Sequence, residues 1–163
     1  MDRRKSTLAI GHNWDMFQPT RAQARRFFFD TWAHYRAGLP LEGAQTLALE
    51  AILAHPEYHA VLEDAERYEE REYFPEQGVT NPFLHLALHV ALLEQLSIDE
   101  PAGIRARYER LCRTSGDAMQ AQHTLMECLA EALWQSQGQG VPVSEAVYAD
   151  CIRRRAGAAD TLE

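Results

Sequence analysis

The sequence has little that would identify a membrane or secreted protein. No apolar run reaches the roughly 18 to 20 residues that span a bilayer. The longest run, within residues 80–101, is interrupted by two histidines and Glu94. The N-terminus starts with basic residues, but the apolar stretch of roughly 7 to 15 residues that a secretory signal needs does not follow them. We therefore expect a cytoplasmic protein with no membrane-spanning segment.

Cysteine is also scarce, and its three copies, Cys112, Cys128 and Cys151, form no CxxC pair. An odd number without such a pair favours reduced thiols in a cytoplasm. Helical spacing puts Cys128 roughly opposite the apolar face of its helix. Neither Cys112 nor Cys128 lies in a recognisable nucleophile motif, and Cys128 has no basic sequence neighbour that would activate it. We expect both to be structural or incidental.

Common catalytic motifs are missing as well. The chain has no GxSxG, P-loop, GxGxxG or HExxH sequence, so the corresponding enzyme classes have no support. The formal charge is −8, from 24 acidic against 16 basic residues, and an acidic surface repels phosphate backbones. Nucleic-acid binding is therefore disfavoured, and RNA docking through the arginines at 21–26 or 153–155 is a weaker alternative. Whether the protein is an enzyme stays open.

Helix signals, by contrast, run through the whole chain. Apolar residues recur at helical spacing, Gly and Pro separate the segments, and no alternating strand pattern of useful length occurs. We predict an all-α fold, a compact bundle of about six to seven helices around a four-helix core. The length suits a single domain over residues 16–155, with an extension at 1–15 and a tail at 156–163. We expect a monomer or a small homo-oligomer, with partners unknown.

Capping residues predict where several of these helices begin. Thr20 with Gln23 forms a capping box for the first helix. Pro56 favours a new or kinked helix after His55. Asn81 followed by Pro82 is typical of a helix start and opens the most apolar segment. Asp117 is expected to cap the helix after it.

Two groups of aromatic and apolar residues are predicted to lie in the core. Phe28, Trp32 and Tyr35 are spaced by four and three residues, so they share one stripe of the first helix. Trp134 is expected to join the core together with Met126.

The strongest chemical signal is a set of histidines at helical spacing. His85 and His89 lie four residues apart in the apolar helix, and His123 precedes Glu127 by the same interval. Residues i and i+4 share one face of a helix, so each pair can present two ligands to one metal ion. Imidazole binds Zn, Fe and Ni, and a carboxylate adds an anionic ligand.

Further ligands are available in the segment around Pro56. His59 is predicted as a ligand, whereas His55 lies at a helix junction and need not share its face. His55 and Glu94 are therefore held in reserve. The predicted set is His59, His85, His89, His123 and Glu127, for a divalent transition metal such as Zn, Fe, Mn or Ni. The alternative is a non-enzymatic interaction or structural module, in which the histidines form a buried hydrogen-bond network.

Three segments carry a resemblance to a known family. They are HPEYH (55–59), NPFLHLALHVALLEQLSIDEPAGI (81–104) and AQHTLMECLAEALWQ (121–135). The chain resembles the bacterial domain-of-unknown-function family 1841, over about residues 16–154. The resemblance implies a small cytoplasmic helical protein, and it supplies neither an activity nor catalytic residues.

Overall fold

The computed structural model describes residues 21–160, without the side chains of 75 and 158–160. Eight α-helices and no strands occur in this range, which confirms the predicted all-α class. The helices are α1 (Arg21–Arg36), α2 (Ala44–Leu53), α3 (His59–Leu62), α4 (Ala65–Tyr68), α5 (Pro82–Ile98), α6 (Ile104–Ser115), α7 (Ala118–Gln139) and α8 (Glu145–Asp160). Short 3₁₀ turns lie at Pro56–Tyr58 and Pro75–Gln77.

The helix count exceeds the prediction because the segment after α2 is divided twice. His55 leaves the helical conformation before Pro56, with φ −126° and ψ 70°, since the residue before a proline disfavours the helical region. Asp64 is then the N-cap of α4, where its carboxylate accepts a hydrogen bond from the Arg67 backbone N–H at 3.2 Å. The segment after Pro56, predicted as one new or kinked helix, therefore forms two single helical turns, α3 and α4.

The predicted caps of the two long helices are present. The Asn81 side chain accepts from the backbone N–H groups of Phe83 and Leu84 at 3.0 and 3.2 Å, with Pro82 as the first residue of α5. Asp117 accepts from the N–H of Met119 at 2.9 Å and so begins α7. Thr20 lies outside the described residues.

The described chain packs into two compact units, residues 21–94 and 95–160. Helix α5 belongs to the first unit as far as Glu94 and to the second from Gln95. The predicted single domain over residues 16–155 stays a prediction, and its extension at 1–15 lies outside the described residues. Helix α8 continues to Asp160, so the segment predicted as a tail from 156 begins as helix.

The core of the first unit forms between α1, α2, α3 and the first turns of α5. Its members are apolar and buried: Phe28, Phe29, Trp32, Ala48, Ala51, Ile52, Leu62, Phe83, Leu86, Ala87 and Val90. Tyr35 was expected among them but is 43% exposed. Helical spacing fixes the direction of a side chain, not whether a neighbour covers it, and Tyr35 lies in the last turn of α1.

Arg25 is one of the arginines at 21–26 that were considered for RNA docking, yet it is not on the surface. Its side chain is only 2% exposed. One guanidinium nitrogen, Nη1, donates to the backbone carbonyls of Tyr68, Glu69 and Arg71 at 3.2, 3.0 and 2.7 Å. The guanidinium carbon also lies 4.8 Å from the centre of the Phe83 ring. Arg25 therefore ties α1 to the chain after α4.

The second unit packs α7 against both α6 and α8. Its buried residues are Ile104, Leu111, Ala121, Leu125, Met126, Cys128, Leu129, Ala132, Leu133, Tyr148, Cys151 and Ile152. Trp134 was predicted to join this core, but it is 76% exposed. Successive helical residues differ by about 100° in direction, so burial of Leu133 leaves its neighbour Trp134 on the outer side.

The cysteines also differ from the prediction of reduced thiols. Cys128 and Cys151 form a disulfide between α7 and α8, with their Cα atoms 5.5 Å apart, and Cys112 is a free thiol. Cys128 was placed away from the core, yet it is fully buried. A helix packed on two sides has a wider buried surface than the single apolar stripe assumed from the sequence. The disulfide removes one ground for expecting a cytoplasmic protein.

A buried hydrogen bond in the second unit links α8 to the last turn of α5. The Tyr148 hydroxyl donates to the side-chain oxygen of Gln95 at 2.9 Å, and both side chains are buried. Burial strongly raises the pKa of Tyr148 above its usual value of about 10, because the phenolate would lose its hydration. The phenol therefore stays neutral in the folded protein at pH values where it begins to ionise in the unfolded chain.

Tyr148→Phe should lower the free energy of unfolding by about 1–2 kcal/mol at neutral pH, because Gln95 loses its buried partner. The deficit should shrink at alkaline pH. Above about pH 10 the tyrosine ionises in the unfolded wild type, which lowers the wild type's free energy of unfolding by about 1.4 kcal/mol at pH 11. The Phe variant has no such ionisation, so its free energy of unfolding is not lowered in this way. Urea unfolding of both proteins at pH 7, 9 and 11 measures the difference. A deficit that stays constant across this range would contradict the prediction.

Within the described residues, no helix is both long and apolar enough to cross a membrane.

Candidate metal centre

Three imidazole rings meet in the first unit, from His55, His85 and His89. The Nε2 atom of His55 lies 3.1 Å from Nε2 of His85 and 3.2 Å from Nε2 of His89. Each residue offers one ring nitrogen within 4.8 Å of those of the others. His55 was a reserve ligand in the sequence analysis, and it is the centre of this cluster.

His55 reaches the cluster because Pro56 ends the preceding helix. The non-helical conformation of His55 lets its ring fold back along the last turn of α2, where Nδ1 lies 2.8 Å from the Ala51 carbonyl oxygen. The side chain is only 4% exposed. The junction that made His55 a weak candidate from sequence is therefore what directs its ring inward.

His85 and His89 lie on one face of α5, one turn apart, as their spacing predicted. Asn81 and Pro82 fix the start of this helix, so His85 falls in its first turn. His89 is fully buried and His85 is half-buried. The centre consequently has a deep side at His89 and a more accessible side at His85.

The hydrogen bond to Ala51 determines which nitrogen of His55 carries the proton. A carbonyl oxygen can only accept, so Nδ1 of His55 is the donor and neutral His55 presents a lone pair on Nε2. Both His85 and His89 direct Nε2 toward that one lone pair. A lone pair on Nε2 is what a metal ion binds, so His55 is oriented as a ligand.

The distances from His55 to the other two nitrogens match those between ligands of one ion. Nitrogens bound at about 2.05 Å are about 3.3 Å apart at a tetrahedral angle and about 2.9 Å apart at a right angle. The observed 3.1 and 3.2 Å lie between these values. The three rings are therefore close enough to share one cation.

The hydrogen-bond partner of His55 is typical of a metal-binding histidine. Histidine ligands commonly donate their second N–H to a carbonyl, which fixes the ring orientation and raises its basicity. His55 does so toward Ala51, in the last turn of α2. The exposed carbonyls of a helix C-terminus carry partial negative charge, which favours a cation nearby. The contact therefore both orients His55 and supplies favourable electrostatics.

Tyr58 borders the same cluster. Its ring lies parallel to that of His55, with centroids 5.4 Å apart, and edge-on to that of His85 at 5.9 Å. Burial raises the pKa of the Tyr58 phenol, and the nearby Glu57 raises it further. A neutral aromatic wall thus covers part of the approach to His55 and His85.

His59, predicted as a primary ligand, has a different partner. Its Nε2 donates to the Ile52 carbonyl at 2.8 Å, and its ring lies 4.4 Å from that of Trp32. It is not among the ligand group found in the described residues. His55 and His59 thus each bind one carbonyl of the last turn of α2, and only His55 turns Nε2 toward α5.

The remaining predicted ligands belong to α5 and α7. Glu127 is exposed on α7 and forms an ion pair with Arg155 of α8. His123 is half-buried, also on α7 in the second unit. Glu94 is half-buried on α5. It lies five residues after His89, so the two side chains point about 140° apart around the helix. In the first unit, then, His85 and His89 meet as predicted, and the reserve ligand His55 joins them.

The arginines near the C-terminal end are engaged with acidic side chains. Arg154 pairs with Asp150 and with Glu131 at 3.2 and 3.4 Å, and Arg153 pairs with Asp150 at 3.4 Å. This pairing offsets the local positive charge on which RNA docking would depend.

Fold and site together define an all-α protein that carries a buried cluster of histidines. A family model described as a domain of unknown function (DUF1841) matches residues 20–154. The chain therefore belongs to this family, and the resemblance of its three segments is confirmed. No curated protein and no solved structure gives a significant match.

Proposed function

We propose that this protein binds one divalent transition-metal ion through Nε2 of His55, His85 and His89. The observation that carries the proposal is the convergence of three ring nitrogens: Nε2 of His55 lies 3.1 and 3.2 Å from those of His85 and His89. The Nδ1 of His55 donates to the Ala51 carbonyl, which leaves Nε2 to bind an ion. Imidazole nitrogens grouped in this way are common ligands of transition metals.

His123, a half-buried residue of α7, stays a ligand proposed from the sequence alone. Structural zinc sites are almost always four-coordinate, whereas catalytic ones have three protein ligands and an open position. The metal affinity of His123→Ala tests this prediction: a loss without abolition would support a fourth ligand, and an unchanged affinity would leave the three histidines of the first unit.

The chemistry of the ligands narrows the choice of metal. Imidazole suits Zn, Fe and Ni, whereas Mn prefers oxygen ligands. Among the four metals predicted from the sequence, Zn(II), Fe(II) and Ni(II) fit this cluster better than Mn(II). Zn(II) is the first to test because it accepts the tetrahedral spacing described above.

The test is elemental analysis of tag-free protein by plasma mass spectrometry, wild type beside His85→Ala/His89→Ala. We expect roughly one metal ion per wild-type chain and none in the double variant, because structural sites bind with high free energy. Removing two inward side chains can also impair folding. Metal-free wild type is therefore titrated with Zn(II) as well, which should raise Tm because the ion binds only the folded chain.

The alternative is that these histidines form the buried hydrogen-bond network of a non-enzymatic interaction or structural module. It predicts no bound metal and no rise in Tm with Zn(II), Fe(II) or Ni(II). That pair of results would contradict the metal proposal. Metal in the wild type that survives in a folded double variant would also contradict it, since the ion would then lie elsewhere.

A further inference from the structure

The histidine ligands carry no negative charge that could balance the charge of a divalent ion. The candidate group in the described residues consists of histidines, without a carboxylate or a thiolate. Neutral imidazoles stabilise a divalent ion but do not reduce its net charge. An uncompensated charge in a buried position is costly unless an opposite charge accompanies it.

The carboxylates closest to His55 and His59 along the chain do not supply that opposite charge. Glu50, Glu57 and Glu63 are exposed, and an exposed carboxylate is better solvated by water than by a buried ion. Glu127, the acidic ligand expected from the sequence, is paired with Arg155. None of these four carboxylates therefore compensates the charge of an ion at the cluster, which leaves a role for an anion from solution.

Solvent reaches the cluster from one side. His55 and His89 are buried, whereas His85 is half-buried and its neighbour Leu84 is 49% exposed. Tyr58 lines this side with its ring against both His55 and His85. His85 is therefore the most accessible of the three rings, and a small anion would reach the ion on its side.

We infer that the ion held by His55, His85 and His89 takes a small exogenous monoanion as a further ligand, on the side of His85. Hydroxide and small carboxylates belong to this class, and azide is its spectroscopic probe. The inference rests on the proposed metal site and names the ligand class of that same site. Anion binding is a simple association, in which the anion displaces bound water to solvent.

The experiment uses the full chain loaded with Co(II), whose visible absorption reports coordination number and ligand type. Metal-free protein is first titrated with Co(II), and the loaded protein is then titrated with sodium azide. Sodium perchlorate, a weakly coordinating salt, keeps the ionic strength constant. We expect saturable shifts of the visible bands with azide and with acetate, and none with perchlorate alone.

The two stages separate the two proposals. Failure to bind Co(II) would overturn the metal site itself. If Co(II) binds stoichiometrically but its spectrum does not change with azide or acetate, the anion inference alone would be overturned. Protein ligands would then occupy the whole coordination sphere. A shift with perchlorate equal to that with azide would also overturn it, because the change would reflect ionic strength and not ligation.

Discussion

His55→Gln should lower the affinity for Zn(II) by about 100-fold or more, because it removes the ligand nearest to both other nitrogens. Zinc sites of four ligands bind with about 10–16 kcal/mol, so each ligand accounts for roughly 3 kcal/mol, which is about two decades in Kd. Competition with a chromophoric chelator gives Kd for wild type and variant. Circular dichroism of the metal-free variant shows whether it folds.

His59→Gln is the matched control. His59 lies four residues away, and its ring also donates to a carbonyl in the last turn of α2, at the same 2.8 Å distance. Its Nε2 is occupied by the Ile52 carbonyl, so Zn(II) affinity should stay within a few fold of wild type. Equal losses in the two variants would mean that the turn around Pro56, and not ligation by His55, determines the affinity. No loss in either would remove His55 from the ligand set.

The contrast between these two residues shows what sequence patterns could and could not provide. His85 and His89 were predictable because both lie on one helix, where spacing alone determines a shared face. The meeting of His55 with them joins residues about 30 positions apart, and no local pattern encodes it. Pro56 made His55 look unsuitable only under the assumption that ligands must share a helical face. The non-helical backbone of His55 is what brings its ring to α5.

The fold was easier to predict from the sequence than the site, because the fold depends more on local patterns. Helix class and the caps at Asn81 and Asp117 depend on neighbours within a few residues. The burial of Cys128, the exposure of Trp134 and the partners of Arg25 depend on which helices pack together. Helical spacing gives a direction for each side chain, and only the tertiary arrangement says what lies in that direction.

Arg25→Met should lower the free energy of unfolding by roughly 3 kcal/mol, taking about 1 kcal/mol for each of three carbonyls that lose a charged donor. Those carbonyls belong to Tyr68, Glu69 and Arg71, in a segment with little regular structure of its own. Methionine fills much of the space but donates no hydrogen bond. Urea unfolding followed by circular dichroism measures the change.

Arg26→Met supplies the comparison, since it is the same substitution at the adjacent residue. The Arg26 side chain is 62% exposed and forms an ion pair with Glu69. Exposed pairs contribute about 0–1 kcal/mol because water screens them. The two variants thus make the same chemical change to neighbouring residues of α1, one buried and one solvated. Similar small losses in both would mean that water replaces the guanidinium of Arg25 at the three carbonyls, and that the segment 68–71 does not depend on α1 for its position.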